Sequence, residues 1–209
     1  MFVRNLLTIA VIFMFVVLVV VIQNLRFPYP EKYQIEDFQL LEQPDDITCG
    51  PTSAAMVLHI YGIEASIEEV KNETKTEWLE YNDEKIGMTS PEYIAIALSN
   101  LGVKADLDRG YIERLKHYVS QGRPCIVLLR SGEYTWHYVV VIGFTAEHVI
   151  VADPGSDEKL RPILNSHFEG AWSFETNIRG ESLEIDWINT VLRAVEVYPY
   201  MMIVPKEPC

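Results

Sequence analysis

Basic side chains are scarce in this sequence, and cysteines are few. The 209 residues carry 17 Lys and Arg against 30 Asp and Glu, which gives a formal net charge of −13. This balance argues against a nucleic-acid partner, because binding nucleic acid requires a basic surface that displaces counterions from the phosphates. It argues equally against polybasic attachment to anionic lipid. The three cysteines allow one disulfide at most, so they cannot form a disulfide scaffold.

Charged side chains are nearly absent from the start of the chain. Residues 6–22 read LLTIAVIFMFVVLVVVI without a single charge, close to the roughly 20 residues with which a helix crosses a bilayer. No small-x-small cleavage pattern follows this run, which argues against a signal peptide. All-round hydrophobicity favours a single-pass membrane anchor over a buried core helix. The flanking charges specify its orientation weakly, and the commoner outcome for such anchors places the following domain outside the cytoplasm.

Composition divides the chain into three segments. We assign residues 1–24 to the anchor and residues 25–37, which contain prolines and mixed polarity, to an extended tether. The rest, residues 38–209, is expected to form one domain. Hydrophobic residues make up 49% of the sequence and charged residues 22%, a balance that argues against disorder.

Helix signals dominate the first half of this domain. Pro51 opens and Gly62 closes an apolar run, which is the expected asymmetry of helix ends. Ser66 begins a capping-box pattern for a second helix, and Ser90-Pro91-Glu92 starts a third. A fourth helix is predicted from about 111 to 119. The polar residues 71–88 are expected to form a loop or an irregular lid.

Strand signals dominate the second half. Short runs rich in β-branched residues, bounded by Gly, Pro and Asp, predict strands at 125–129, 137–142 and 148–152. A last strand is predicted at 200–204, a further helix at 184–195, and a loop at about 154–180. Helices followed by clustered antiparallel strands indicate an α+β fold.

Cys49 is the first candidate functional residue. It lies just before the first turn of a predicted helix, where unpaired N–H groups and the helix dipole favour a thiolate anion. The alternative is that Cys49 is a small buried apolar residue, the usual role of a free cysteine. Cys125 lies in an apolar strand and is expected to be inert.

His137 and Asp153 are the candidates for the base and for the group that orients it. A hairpin with a three-residue loop at 144–146 pairs residues whose numbers sum to 290, so that His137 lies opposite Asp153 on the same face. Asp153 then accepts the Nδ1 proton of His137, and Nε2 faces the thiol. A two-residue loop instead places Asp153 on the opposite face.

Gln43 is the candidate for stabilising an oxyanion. It precedes Cys49 by six residues, and its side-chain amide together with the Cys49 backbone N–H can donate to an oxyanion. The alternative is an ordinary surface glutamine.

Six motifs together carry a family resemblance. They are Gln43, CGPTSAAM from Cys49, GMTSP from Gly87, GRPCIV from Gly122, WHYVVVIG from Trp136 and VADP from Val151. The set resembles the bacteriocin-leader-processing (double-glycine) peptidase-like family of the papain-like cysteine peptidase clan, over roughly residues 38–155. No ATP-binding or six-helix transporter region occurs in these 209 residues, so the resemblance is to stand-alone members.

The resemblance implies both a fold and a set of roles. It implies a papain-like fold in which the helix bearing the nucleophile packs on an antiparallel sheet. It implies Cys49 as nucleophile, His137 as general base and then acid, Asp153 as orienting group and Gln43 as oxyanion donor. Residues 156–195 match nothing in the family's pattern, and the papain-type Cys-Gly-Ser-Cys-Trp signature is absent.

The leading hypothesis is therefore a membrane-anchored cysteine peptidase that acts on a peptide or protein. Acyl transfer of γ-glutamyl type by the same residues is one alternative, and a papain-like binding or regulatory module that does not use the chemistry is another. No cofactor is expected. A metal site formed by Cys49, His137 and Asp153 is disfavoured, because neither CxxC nor HExxH spacing occurs. The oligomeric state is left open.

Overall fold

Two compact units, Met1–Pro30 and Glu31–Cys209, divide the chain in a computed structural model. The structure describes residues 9, 12–18, 28–36, 39–81, 84–132, 135–158, 160–173, 189–190, 192–193 and 197–208. Within the first unit, Ile9 and residues 12–18 are helical and their side chains are exposed. The rest of the predicted anchor lies outside the described residues. Within the described ranges, no helix has the length and apolarity needed to span a membrane.

The second unit contains five helices and nine strands among its described residues. The helices are α1 (Cys49–Ile60), α2 (Ile67–Glu73), α3 (Pro91–Asn100), α4 (Ile112–Ser120) and α5 (Asn165–Trp172). The strands are β1 (Tyr33–Gln34), β2 (Glu77–Tyr81), β3 (Glu84–Met88), β4 (Val103–Arg109), β5 (Cys125–Arg130), β6 (Trp136–Phe144), β7 (His148–Ala152), β8 (Leu160–Leu164) and β9 (Met201–Pro208).

Seven of these strands form one antiparallel sheet. Six of them lie in the order β4-β9-β5-β6-β7-β8, and the seventh, β1, pairs with the end of β6. Strands β2 and β3 form a separate hairpin. The predicted α+β class is confirmed, with the central strands β5, β6 and β7 within one residue of the predicted starts and within two of the predicted ends.

Helices cover both faces of the sheet. Alternate residues of β6, among them Val140 and Ile142, join the core that contains α1, α2 and α3. The intervening residues Val139 and Val141 join a second core with α4 and α5. Burial on both faces explains why β6 reads as a continuous apolar run rather than an alternating one.

The predicted helix ends are confirmed where their caps are local. The Ser66 hydroxyl accepts a hydrogen bond from the Glu69 N–H at 3.2 Å, and the Ser90 hydroxyl accepts one from the Glu92 N–H at 3.3 Å. Gly62, after α1, has a φ of +75°, a conformation that glycine adopts without strain.

Two predicted loops are wrong. Residues 71–88 contain the hairpin β2–β3, and residues 154–180 contain β8 and α5. Strand β4 was not predicted. The hairpin strands mix charged and apolar residues without regular alternation, and β8 lies at the sheet edge with largely exposed side chains, so neither has the apolar pattern of a buried strand. Of the predicted helix 184–195, the described residues 189–190 and 192–193 are helical, and the others lie outside the described residues.

Gly87 provides a test of how the hairpin β2–β3 packs. A Cβ built at Gly87 lies 1.6 Å from Ile47 Cγ2 and 3.0 Å from Ile47 Cα, so alanine forces the hairpin or the segment before Cys49 to move. We expect Gly87→Ala to destabilise the protein by about 1–3 kcal/mol, the usual cost of overpacking. Urea unfolding of the full chain, followed by tryptophan fluorescence, measures this change.

Gly170→Ala is the matched control for Gly87→Ala. Gly170 lies in α5, and a Cβ built there meets no atom within 4 Å. Alanine is therefore expected to stabilise the protein by about 0.5–1 kcal/mol through its higher helix propensity. An unfolding midpoint of Gly87→Ala equal to that of the wild type would show that the hairpin does not pack on Ile47.

Candidate active site

Cys49 is the first residue of α1, and its side chain is partly exposed. The helix continues into the core with buried residues from Gly50 to Leu58, which fix its position. Thr48, the N-cap residue, makes no side-chain hydrogen bond to the helix N-terminus. The first N–H groups of α1 are not capped by that side chain, so they can donate to an anion that forms next to Cys49.

Two hydrogen bonds tie β6 to its surroundings, one to α1 and one to Thr89 before α3. Ser53, one turn after Cys49, donates its hydroxyl proton to the Tyr138 carbonyl at 3.3 Å. The Tyr138 hydroxyl in turn donates to the Thr89 carbonyl at 2.9 Å. Ser53 is fully buried and Tyr138 nearly so. Because Tyr138 follows His137 directly, these bonds position His137 relative to Cys49. The sequence reasoning did not identify Ser53 or Tyr138 in this role.

His137 and Asp153 are in direct contact. His137 Nε2 lies 2.6 Å from Asp153 Oδ1, and the two side chains are 22% and 4% exposed. The prediction that these residues meet is confirmed, but the predicted ring nitrogen is wrong. Because Nε2 bonds Asp153, Nδ1 is the nitrogen that remains for the Cys49 thiol.

The predicted register of the β6–β7 hairpin is also wrong. Thr145 N–H donates to the His148 carbonyl, which leaves a two-residue loop, and the first strand pairs are Phe144↔Val149 and Gly143↔Ile150. An irregularity follows at Ile142, after which Val141 pairs with Val151. One extra residue in β6 restores the face that the shorter loop would have reversed. His137 and Asp153 therefore still share a face, two residues out of the predicted register.

Opposite charges stabilise each other within this pair. Burial lowers the pKa of His137, but hydrogen bonds and charge interactions with Asp153 and Cys49 outweigh it and raise this pKa to about 9. Burial raises the pKa of Asp153, and the hydrogen bond and charge of His137, the Gly155 N–H and Arg161 outweigh it, so that this pKa falls to about 2. At neutral pH His137 is therefore a cation and Asp153 an anion.

Gln43 lies against the loop that follows Asp153, which contains Pro154 and Gly155. Its backbone N–H donates to the Pro154 carbonyl at 3.0 Å, and its side-chain Nε2 donates to the Asp45 carbonyl at 2.8 Å. A Cβ built at Gly155 would lie 3.1 Å from Gln43 Oε1 and 3.0 Å from His137 Cε1. The side chains of Gln43 and His137 thus pack against one glycine, and a primary amide with one N–H bonded retains a second N–H to donate.

Arg161 is a neighbour of this site that the sequence reasoning missed. It lies on β8, and its Nη1 is 2.6 Å from Asp153 Oδ2. No sequence signal could have identified it, because the strand that carries it was predicted as a loop.

Cys125 differs from Cys49 as expected. It is fully buried in β5, and burial raises the pKa of its thiol to about 12. A protonated, inaccessible thiol is not a nucleophile, so of the two cysteines among the described residues Cys49 is the accessible one.

The parts of the chain that the structure describes contain no group of three or more His, Cys, Asp or Glu able to hold a metal ion. The arrangement consists instead of a partly exposed thiol at a helix start, an imidazolium beside it and a carboxylate behind the imidazolium. These are the groups that nucleophilic attack on a carbonyl by a thiolate requires.

A family model matches this chain, and so do solved structures of peptidases. The model of the Peptidase C39 like family matches residues 35–177. A C39-like peptidase from Bacillus anthracis is 18% identical, with a TM-score of 0.62, over 86% of this chain and 100% of that one. The peptidase domain of Streptococcus ComA, a bifunctional ABC transporter of a quorum-sensing pathway, is 20% identical, with a TM-score of 0.56, over 82% and 99%.

The third structure is a double glycine motif protease from an AMS/PCAT transporter in complex with its leader peptide. It is 18% identical, with a TM-score of 0.55, over 83% of this chain and 94% of that one. At these identities the structures establish a shared fold, that of papain-like C39 peptidases. No curated protein sequence matches the chain. Because the family model covers more than half of the sequence, the chain belongs to the Peptidase C39-like family and is a cysteine-type peptidase.

Proposed function

We propose that this protein hydrolyses peptide bonds with Cys49 as nucleophile, His137 as the group that transfers protons, Asp153 as the group that orients His137, and Gln43 as oxyanion donor. One observation carries the proposal: Asp153 Oδ1 lies 2.6 Å from His137 Nε2, and Cys49 is near enough to the same ring to help raise its pKa. This proximity supports a nucleophile, a base and an orienting group in the order that the mechanism requires.

The raised pKa of His137 determines how the reaction starts. With a pKa of about 9, His137 is a strong enough base to accept the proton of the Cys49 thiol, which leaves an imidazolium beside the reacting thiolate. The thiolate attacks the amide carbon, a C–S bond forms, and the carbonyl electrons move onto oxygen.

The oxyanion forms beside the start of α1. The Cys49 backbone N–H and the second N–H of Gln43 Nε2, whose first N–H is bonded to Asp45, are the proposed donors. Each such donor typically contributes about 2.7–4 kcal/mol of transition-state stabilisation. The C–N bond then breaks, and His137 donates its proton to the leaving amine.

Water completes the cycle. Neutral His137 removes a proton from water, the hydroxide attacks the thioester, and the C–S bond breaks to release the carboxylic acid and the Cys49 thiolate. Asp153 keeps its negative charge throughout, because its pKa is lowered to about 2. It stabilises the imidazolium and keeps Nδ1 directed toward Cys49.

A peptide or protein is the proposed substrate. In support, the similar double glycine motif protease was solved in complex with a leader peptide. All four proposed site residues are present in this chain, so no loss of a catalytic group favours a binding module that does not use the chemistry.

Residues 6–22 are proposed as a membrane anchor, with the peptidase unit on the extracytoplasmic side. The supporting observations are the uncharged apolar sequence and the exposure of the helical residues 12–18. Retention of the full chain in membranes after an alkaline carbonate wash tests the anchor, and release into the supernatant would reject it.

Cleavage of a peptide library by the full chain tests the proposed activity. New amino termini, identified by mass spectrometry, are the expected products. Transfer of the acyl group to an added amine in place of water would identify the chain as an acyl transferase. Binding of peptides without any new product would identify it as a binding module.

A further inference from the structure

Arg161 contacts the oxygen of Asp153 that His137 does not use. Its Nη1 lies 2.6 Å from Asp153 Oδ2, whereas Oδ1 accepts from His137 Nε2 at 2.6 Å and from the Gly155 N–H at 3.0 Å. We infer that Arg161 is a positioning residue, which holds the Asp153 carboxylate in the orientation that keeps His137 directed at Cys49. This inference rests on the proposed function, in which Asp153 orients His137.

The sheet explains how Arg161 reaches the site. Strand β8 pairs with β7 so that Arg161 lies opposite Val151, and directly opposed residues of antiparallel strands project from the same face. Asp153 follows Val151 by two residues and shares that face. Arg161 therefore crosses diagonally from the edge strand to the carboxylate.

Arg161 restricts the rotation of the Asp153 carboxylate. A carboxylate bonded through one oxygen alone can rotate about its terminal torsion, which has broad energy wells. Here both oxygens are held, one by Arg161 and the other by His137 and Gly155. Rotation would break a charge-assisted hydrogen bond, which is roughly twice as strong as a neutral one.

Charge balance supports the same role. Asp153 is 4% exposed, and burying an unpaired carboxylate is costly. The groups that face Asp153 are the imidazole of His137 from β6, the Gly155 N–H from the following loop and the guanidinium of Arg161 from β8. The Asp153 carboxylate is thus matched by two cationic side chains, His137 and Arg161.

The Arg161 side chain is 44% exposed. A substitution there leaves no core cavity, so it can be tested without disrupting the fold. Arg161→Gln removes the charge and keeps much of the length, whereas Arg161→Lys keeps the charge but not the planar guanidinium.

The pH profile of Cys49 alkylation by iodoacetamide in the full chain tests the inference. Alkylation reports the reactivity of the Cys49 thiol without any peptide substrate. In Arg161→Gln, Asp153 holds Nε2 less firmly and one cation is lost from the site, so we expect Cys49 to be alkylated more slowly at neutral pH and the profile to shift to higher pH. We also expect the kcat of peptide hydrolysis to fall about 10- to 100-fold, the loss typical of partners that orient metal-binding histidines, with KM unchanged.

Arg114→Gln is the matched control. Arg114 pairs with Asp108 through Nη2 at 2.7 Å with a similar, partly exposed side chain, and Asp108 is not among the site residues. We expect this variant to retain the wild-type pH profile and kcat, and Arg161→Lys to recover most of what Arg161→Gln loses.

Two outcomes would overturn the inference. One is an alkylation profile of Arg161→Gln identical to that of Arg114→Gln, and the other is a kcat within two-fold of that control. Failure of the proposed function would look different, because wild-type protein would then leave peptides intact while the alkylation profiles still reported on Arg161.

Discussion

Replacing Cys49 by alanine is expected to lower peptide hydrolysis by at least about 10⁴-fold, because loss of a covalent nucleophile removes the acyl-enzyme route altogether. The remaining groups can still bind the substrate and stabilise an oxyanion. Water would have to replace the thiolate as attacking group, and water is a far weaker nucleophile. The kcat for a peptide identified in the library measures the loss.

Alanine at position 49 is not expected to disturb the fold. Cys49 is only partly buried, it begins a helix, and alanine has the highest helix propensity of all residues. Circular dichroism and the urea midpoint should therefore match those of the wild type. A folded Cys49→Ala protein that hydrolyses peptides at a rate within ten-fold of the wild type would show that Cys49 is not the nucleophile.

Cys125→Ala is the matched control for Cys49→Ala. It removes the other described cysteine, whose pKa is raised to about 12 and whose side chain is fully buried. We expect this variant to keep its kcat, with some loss of stability from the small cavity that it leaves. Retained activity in this variant and lost activity in Cys49→Ala would assign the chemistry to one thiol.

Local signals predicted the parts of the fold that depend on local chemistry. Helix α1 was predictable because Pro51 suits a first helical turn and Gly62 suits the left-handed conformation after the end. Strands β5, β6 and β7 were predictable because continuous burial requires continuous apolar sequence.

The parts that the sequence did not reveal depend on partners distant in the chain. Strand β8 is exposed along most of its length and exists because it pairs with β7. Strand β4 alternates apolar and polar residues, a signal that was present, and it pairs with β9 almost one hundred residues later. The hairpin β2–β3 mixes charged and apolar residues without regular alternation, and Gly87 fits where Ile47 leaves no room for a Cβ.

The candidate site shows the same division. The residue types were predictable, and so was the shared face of His137 and Asp153, but the geometry was not. The loop was one residue shorter than assumed, and a bulge at Ile142 compensated for it. Bulges carry no clear sequence signature, so this one could not be predicted. The error in loop length and the missing bulge offset each other, and His137 and Asp153 were therefore still predicted on the same face. The ring nitrogen that bonds Asp153 and the approach of Arg161 from β8 required three-dimensional coordinates.

Replacing His137 by alanine is expected to lower kcat by about 10³- to 10⁴-fold, because two functions are lost together. In the proposed mechanism the imidazole accepts the thiol proton of Cys49, and it later donates the proton that the leaving amine requires. General acid–base catalysis alone typically contributes 10²- to 10⁴-fold. His117→Ala is the control, since His117 lies on α4 within hydrogen-bond distance of Gln121, and it should keep wild-type kcat.

The pH dependence of kcat/KM in the wild type is a second, independent test of the role of His137. The pKa of His137 is raised from an ordinary 6.5 to about 9, so the imidazolium persists at neutral pH and is lost as the pH rises through 9. We therefore expect kcat/KM to stay high from neutral pH up to about 8 and to fall above 9, as the acid for the leaving amine disappears.

In His137→Ala this fall of kcat/KM at alkaline pH should be absent. Iodoacetamide should also label Cys49 slowly at pH 7 in this variant. Both measurements use a Cys209→Ser background, which removes the terminal thiol. A wild-type kcat/KM that falls near pH 6.5 would contradict the raised pKa of His137. Rapid neutral labelling of Cys49 in His137→Ala would show that the reactivity of the thiol does not depend on the imidazole.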